Sequence, residues 1–414
     1  MASPATPQRP QILLFRLNHV MRILSDYYGL PSTHSNKVLP LTPMAVTGPI
    51  DKVVATHFRK SKMLGSKDRA FVADAVYSFF RWKGLLEALA PTRTLFELLR
   101  TLLALDTTRM VSDSKYRGKF ASLPPHVLVS FPEPLYSRIS AAYGAAQGVD
   151  LCLALNTAAP VTIRANLLKT TREALAKSLQ EGHGLATSHT TLSPLGLQFQ
   201  KRLNVFELEE FTRGHFEMQD EASQLAAGLV LPARKDRVLD YCAGGGGKTL
   251  AFIHRLEGTG QVYLHDVRSA PLRNARVRLA RAGATNVQFM EPGDKGLQLL
   301  RGSMDWVVAD VPCSGTGALR RSPDQKWRVG EPQLAELVTK QREIFKEALG
   351  YMAPQGRIVY ITCSVLAEEN ERQVAWFVQE HGLVIDGEVF KTLPSVGGMD
   401  GFFATRFRRR SSPP

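Results

Sequence analysis

The chain has 414 residues, with 52 Lys+Arg against 38 Asp+Glu (net charge +14), 44% hydrophobic and 22% charged. That composition excludes collagen-like, low-complexity and extensively disordered proteins and supplies material for two or three domains at about 150 residues each. A membrane-spanning helix is excluded as well, because no segment approaches about 18 uninterrupted apolar residues; Arg16, His19 and Arg22 break even the most apolar one. The expectation is a soluble protein.

The charge is uneven, with nineteen Lys+Arg and ten Asp+Glu in residues 1–150. That third is the one suited to a polyanion, since phosphates draw cations without regard to sequence. Cys152, Cys242, Cys313 and Cys363 lie far apart, and no pair has the spacing of a zinc site. No metal is expected. Without a secretory leader the thiols should stay reduced, in a cytoplasmic compartment.

Along residues 11–27, Leu14, Leu17, Met21 and Leu24 recur at helical spacing. No acid precedes Asp26, and Arg9, Arg16 and Arg22 stand close by, so an organelle transit segment is a second reading. A first domain helix is favoured, because such stripes are common in helical domains. Residues 30–50, with several Pro and Thr, read as a loop. A helix follows from Asp51 and a basic turn at Arg59-Lys60-Ser61-Lys62. A new helix entry at Gly65-Ser66-Lys67-Asp68 leads into Phe71, Val72, Val76, Phe79, Phe80 and Leu85, and Pro91 closes it. Residues 1–150 thus read as an all-helical domain.

Residues 151–217 read as a small α+β domain, with a strand at Val161–Asn166 and a polar helix from Thr171 to Gln180. The third domain, 218–414, opens with a helix start at Met218–Leu225, acids and Ser lying in its first turn. Apolar runs at Val238–Asp240, Val262–Leu264, Val287–Phe289, Trp306–Val308 and Arg357–Tyr360 then alternate with amphipathic stretches. This is the βαβ pattern of a doubly wound, mostly parallel Rossmann-like sheet, which binds ligands outside the carboxyl ends of its strands.

The suspicious residues sit at those ends. Val238-Leu239-Asp240-Tyr241-Cys242-Ala243 runs into Gly244-Gly245-Gly246-Gly247-Lys248-Thr249, a glycine loop between a strand and a helix. A phosphate-binding P-loop would need Gly where Cys242 stands, and the dinucleotide fingerprint would need Gly where Thr249 stands. Asp266 ends the next strand, where an acid can accept from both ribose hydroxyls. Asp294, after the following strand, could accept from an adenine amino group. Acids at three successive strand ends, with no pyrophosphate loop, fit an adenosine ligand such as S-adenosylmethionine. Asp310-Val311-Pro312-Cys313 and Thr362-Cys363 place two thiols at further strand ends, with Lys248, Arg320 and Arg321 as candidates to favour a thiolate. The pattern does not say which cysteine attacks.

These motifs carry a resemblance. Asp240–Thr249, Asp310–Gly317 with Arg320-Arg321-Ser322-Pro323-Asp324 and Trp327, Tyr360–Ser364 with Glu369-Asn370-Glu371, and Gly398–Phe403 resemble the motifs of RNA (cytosine-5) methyltransferases of the Sun/RsmB type, in the Nol/Nop/Sun superfamily. The likeness covers about residues 218–409, and extends more weakly to a NusB-like helical domain at the start and to the family's small RNA-binding domain in the middle. It implies methyl transfer from S-adenosylmethionine to carbon 5 of a cytosine, with Cys363 as nucleophile and Cys313 assisting product release. It further implies Asp310 as the acid at ring nitrogen 3 and Lys248 as an organiser of the site. Cofactor contacts are expected from Cys242, Ala243, Gly244, Gly245, Gly246, Gly247, Lys248, Asp266, Arg273, Asp294 and Asp310. The family commonly has Pro where Gly245 stands. The NusB-like start points to small-subunit ribosomal RNA first and transfer RNA second; a non-catalytic assembly factor and a nucleotide-dependent oxidoreductase are the competing readings. A monomer is the default.

Overall fold

A computed structural model describes residues 10–30 and 48–410, and the chain divides into two compact units. Arg9 and most of the loop read over 30–50 lie outside the described residues.

The first unit contains the described residues up to Ala158 together with Leu319–Gly330. It is helical, from Pro10–Tyr28 through Ile50–Lys60 and Ser66–Leu89 to Ala145–Leu155. The break at Ser61–Gly65 falls where the basic turn and the Gly65 entry are expected, and Ser66–Leu89 buries Val72, Val76, Phe79, Phe80, Leu85 and Leu86. In Pro10–Tyr28 the buried face differs from the sequence expectation. It is Val20, Ile23, Leu24 and Tyr27, while Leu14 is 61% exposed; in the first half of the helix the contact with Ser66–Leu89 is made by Arg16, which pairs with Asp68 at 2.7 Å, and not by Leu14.

Leu319–Gly330 is buried into this unit by polar anchors. The Lys326 ammonium, 1% exposed, donates to the Arg81 carbonyl (2.8 Å) and to Asn156 Oδ1 (2.7 Å) and lies 4.2 Å from the Phe131 ring centre. Trp327 Nε1 donates to the Phe80 carbonyl at 2.7 Å. The fully buried Asp324 accepts from Ile50 N–H at 3.2 Å and pairs with Arg328 at 3.0 Å. The motif Arg320–Trp327 therefore belongs structurally to the helical unit.

The second unit contains Ala159–Ala318 and the described residues from Glu331 onward. Its first sheet is antiparallel: β1 (Val161–Ala165), β2 (Thr187–His189), β3 (Gly196–Phe199) and β4 (Phe216–Met218), in the order β2-β3-β1-β4. The helix Arg172–His183, capped by Thr171 Oγ1, packs Leu175 and Leu179 on Ile163, Leu197 and Phe216.

The large sheet is mixed. Strands β5 (Arg237–Asp240), β6 (Gln261–His265), β7 (Val287–Met290), β8 (Met304–Asp310) and β9 (Met352–Thr362) run parallel in the order β7-β6-β5-β8-β9. Antiparallel β10 (Leu383–Ile385), β11 (Phe390–Thr392) and β12 (Phe402–Arg409) extend it, with β12 between β9 and β10. This antiparallel edge is absent from the sequence reading, since short terminal strands carry little periodic signal.

The apolar runs of the parallel strands are continuous because both faces are covered. Val238, Val262, Leu264, Val308, Val359 and Ile361 face Leu272, Ala275 and Leu279 of the helix Ser269–Ala282. Leu239, Val307, Ala309, Ile358 and Tyr360 face Phe345 and Phe377 of the helices Glu331–Leu349 and Glu371–His381. Two buried faces make the sheet a rigid platform, and its strand order reverses beyond β5, between β5 and β8. Among the described residues no helix is long and apolar enough to cross a membrane, and no cluster of three or more His, Cys, Asp or Glu could hold a metal ion.

Candidate functional site

The carboxyl ends of β5, β6, β8 and β9 hold most of the residues singled out from sequence. After β5 the chain turns at Gly244 (φ +52°) and Gly246 (φ +74°), left-handed positions that favour glycine. Helix Gly247–Phe252 starts immediately after them. Gly244 has no heavy atom within 4 Å of where a Cβ would lie, so open space adjoins the loop, and its N–H donates to Asp266 at 3.1 Å. Burial opposes ionisation of Asp266, but Arg268, through its side chain (3.0 Å) and its backbone N–H (2.9 Å), holds the carboxyl below its usual range. An anionic acceptor thus flanks a glycine cradle, which fits an adenosine with its ribose at Asp266.

The loop is braced from the small sheet and from the helix after β6. The Gly247 carbonyl accepts from Gln219 Nε2 (3.1 Å) and Arg164 Nη1 (3.4 Å), and Arg278 Nη1 donates to the Gly245 carbonyl at 2.6 Å. The Glu217 carboxylate in turn pairs with Arg278 at 3.0 Å and with Arg281. A Cβ at Gly245 would meet Arg278 Nη1 at 2.8 Å, so the arginine occupies the space beside this unsubstituted position. Sequence reasoning missed these braces, because charged residues scattered over 164–281 carry no common motif.

Asp240 is fully buried, accepts from Thr249 Oγ1 at 2.7 Å, and leaves Oδ1 without a partner. Burial raises its carboxyl to about 7. Lys248 extends from the helix start to Asp310 at the end of β8, Nζ to Oδ2 2.7 Å. The half-buried Cys242 thiol is pushed upward by burial and by the neighbouring carboxylates, which argues against a thiolate there.

The two remaining cysteines meet: Cys313 Sγ lies 3.4 Å from Cys363 Sγ. One follows β8 and the other follows β9, adjacent parallel strands in register through Asp310 and Ile361, so the sheet itself sets the approach. The loops are clamped by Gly317, whose N–H donates to the Cys363 carbonyl (2.9 Å) and whose carbonyl accepts from Gly401 N–H (2.9 Å).

Arg273 and Asp294 do not join this constellation. Arg273 is exposed on the helix Ser269–Ala282, and Asp294 is exposed with Oδ1 accepting from Gly296 N–H at 2.8 Å, capping its own turn. Arg320 and Arg321 belong to the helical unit. A pocket of about 480 Å³ lined by Arg164, Gln224, Phe252, His254 and Phe390, among others, contains none of the sequence-selected site residues.

Residues 227–408 match the family described as 16S rRNA methyltransferase RsmB/F, and residues 131–206 match its ferredoxin-like domain. The chain is 32% identical over 258 residues (61% of this chain, 57% of the relative) to a probable ribosomal RNA small subunit methyltransferase B of Synechocystis. It is 30% identical over 290 residues (67% of this chain, 66% of the relative) to ribosomal RNA small subunit methyltransferase B of Photorhabdus laumondii. A human 28S rRNA (cytosine(4447)-C(5))-methyltransferase is 29% identical over 70% of this chain and 35% of its own length. The chain therefore spans less than two thirds of the length of these curated relatives. Among solved structures, NSun6 from Pyrococcus horikoshii with SFG has a TM-score of 0.62 at 19% identity, covering 69% of this chain and 100% of that one. That is a likeness of fold.

Proposed function

Because this chain belongs to the RsmB/F methyltransferase family, we propose that it transfers a methyl group from S-adenosylmethionine to carbon 5 of a cytosine in ribosomal RNA. The observation that carries the reading is the 3.4 Å approach of Cys313 and Cys363 at neighbouring strand ends. The relatives of known name are ribosomal RNA methyltransferases, which supports ribosomal RNA as the substrate. No observation favours transfer RNA, a non-catalytic assembly factor or an oxidoreductase.

In this reading Asp266 takes the ribose hydroxyls and Gly244–Gly247 lie along the methionine portion. When bound, the cofactor supplies an electrophilic methyl group on a sulfonium. Carbon 5 of cytosine is too weak a nucleophile to take it unaided, so covalent catalysis is required. The Cys363 thiolate adds to carbon 6 while Asp310 in its protonated form hydrogen-bonds to ring nitrogen 3 and passes its proton there, becoming the carboxylate that pairs with Lys248. The electron-rich carbon 5 then takes the methyl group. Solvent water takes the carbon 5 proton, the Asp310 carboxylate takes back the nitrogen 3 proton, and Cys363 leaves carbon 6 as a thiolate, which restores the aromatic ring; Cys313 assists that release from 3.4 Å away. Carbon 6 is reachable only on an unstacked or flipped base, so the target is a loop, a bulge or incompletely folded RNA.

The test is transfer of labelled methyl to unmodified ribosomal RNA by the intact protein, Cys363→Ala and Cys313→Ala, followed on denaturing gels. Cys363→Ala should abolish transfer, and Cys313→Ala should trap a denaturation-resistant RNA adduct. Full transfer by both variants would overturn the mechanism; no transfer by the intact protein to any ribosomal RNA would overturn the function.

A further inference from the structure

Adjacent residues in the loop after β9, Glu369 and Asn370, each hold one cysteine loop. Asn370 takes the Cys363 side: its Oδ1 accepts from Thr362 Oγ1 at 2.6 Å and its Nδ2 donates to the Ser364 carbonyl at 2.9 Å, binding both neighbours of Cys363. Glu369 takes the Cys313 side. Its Oε1 accepts from Ser314 N–H at 2.8 Å and from Gln341 Nε2 at 2.9 Å, and its Oε2 accepts from Ser314 Oγ. Gln341 Nε2 also reaches the Pro312 carbonyl at 3.1 Å, so both neighbours of Cys313 are held too.

The two grips differ in charge. Asn370 is neutral, whereas Glu369 is a carboxylate with 0% exposure, and among the described residues no lysine or arginine forms an ion pair with it. Three donors hold it: Ser314 N–H, Ser314 Oγ and Gln341 Nε2. A buried charge acts at close range with little screening, and a negative one disfavours a second negative charge nearby. The Cys313 thiol lies well above its ordinary range, first through its hydrogen bond with Cys363, then through burial, and then through the charges of Cys363 and Glu369.

We propose that Glu369 is the positioning residue that gives the two cysteines different tasks: it ties down the Cys313 loop through Ser314 and Gln341 and sets a buried carboxylate on that side alone, while neutral Asn370 holds the Cys363 side. The inference rests on the site being a cytosine methyltransferase centre. It adds a physical basis for the division of labour, which the two strand-end positions alone leave symmetric.

The experiment measures the pH dependence of iodoacetamide alkylation at Cys313, read by peptide mass mapping in the full chain without RNA or cofactor, for the parent, Glu369→Gln and Glu369→Asp. Methyl transfer is measured in parallel. Glu369→Gln should move the Cys313 midpoint down by one pH unit or more and lower transfer at least tenfold. Glu369→Asp, which keeps the charge, should retain a midpoint near the parent's and recover part of the transfer. An unchanged midpoint in Glu369→Gln, or equal behaviour of the Gln and Asp variants, overturns the proposal. Should Glu369→Gln fail to fold, Ser314→Ala decides: it removes one tie but keeps the charge, so reduced transfer with the parental midpoint supports the proposal and undiminished transfer overturns it. The alkylation result stands even where no RNA is methylated, so failure of this inference and failure of the proposed function are separable.

Discussion

Gly317→Ala is the sharpest perturbation the site offers. The residue's φ is outside the left-handed region, so alanine carries no backbone strain, and the cost is steric. A Cβ at Gly317 would lie 2.1 Å from the Gly401 carbonyl oxygen, 2.7 Å from its carbon and 2.9 Å from Gly401 Cα, all backbone. Reaching an ordinary contact of at least about 3 Å requires the two segments to separate by about 1 Å. Overpacking of this kind costs about 1–3 kcal/mol in stability. The larger effect should fall on chemistry, because the same residue bonds to the Cys363 carbonyl and to Gly401. A displacement of about 1 Å at a reacting group costs about 100-fold in rate. The assay is single-turnover methyl transfer at saturating cofactor and RNA, with thermal unfolding measured alongside. Gly118→Ala serves as the control, since a Cβ there meets nothing within 4 Å. A Gly317→Ala enzyme that folds and transfers within threefold of the parental rate would refute the claim that this clamp sets the cysteine geometry.

Two further outcomes follow from buried charges. Asp240 titrates near 7 in the folded protein, raised chiefly by burial from the ordinary 3.8. The native state therefore binds the extra proton between about pH 4 and pH 7, and stability falls as pH rises through that window, levelling off above about 7. Asp240→Asn, which retains an acceptor for Thr249, should flatten that slope and be the more stable form at pH 8; denaturant midpoints across pH 4–8 check this, and parallel profiles for the two proteins would refute it. In the helical unit, Asp324→Ala would strand Arg328 and the Ile50 N–H. Arg328 is 29% exposed and partly hydrated once its partner is gone, so the loss is about 1–3 kcal/mol; limited proteolysis should speed up within residues 48–158 while the second unit resists, and equal cleavage rates in variant and parent would count against Leu319–Gly330 being part of that unit.

Much of the large sheet was legible because burial on both faces makes each parallel strand an unbroken apolar run, and β5, β6, β7, β8 and β9 coincide with the runs at 238, 262, 287, 306 and 357. The glycine loop was equally legible, since left-handed turns at 244 and 246 demand glycine. The antiparallel strands β10, β11 and β12 were not, being short or lying close to the chain's end. Nor was the fate of Leu14, whose apolar character predicts burial but whose place in the first turns of its helix leaves it exposed.

The sequence by itself determined the chemistry available: two thiols, an acid and a lysine at strand ends, beside a loop only glycine can form. These are properties of residue type and local spacing. Only the tertiary structure decided which groups meet. Cys313 and Cys363, fifty residues apart, approach because β8 and β9 pair in register, and Lys248 reaches Asp310 because β5 and β8 are neighbours. The same folding left Arg273 and Asp294 at the surface and drew Leu319–Gly330 into the helical unit. Pairing between distant strands and burial of an isolated charge depend on what the rest of the chain places nearby, and no local pattern records that.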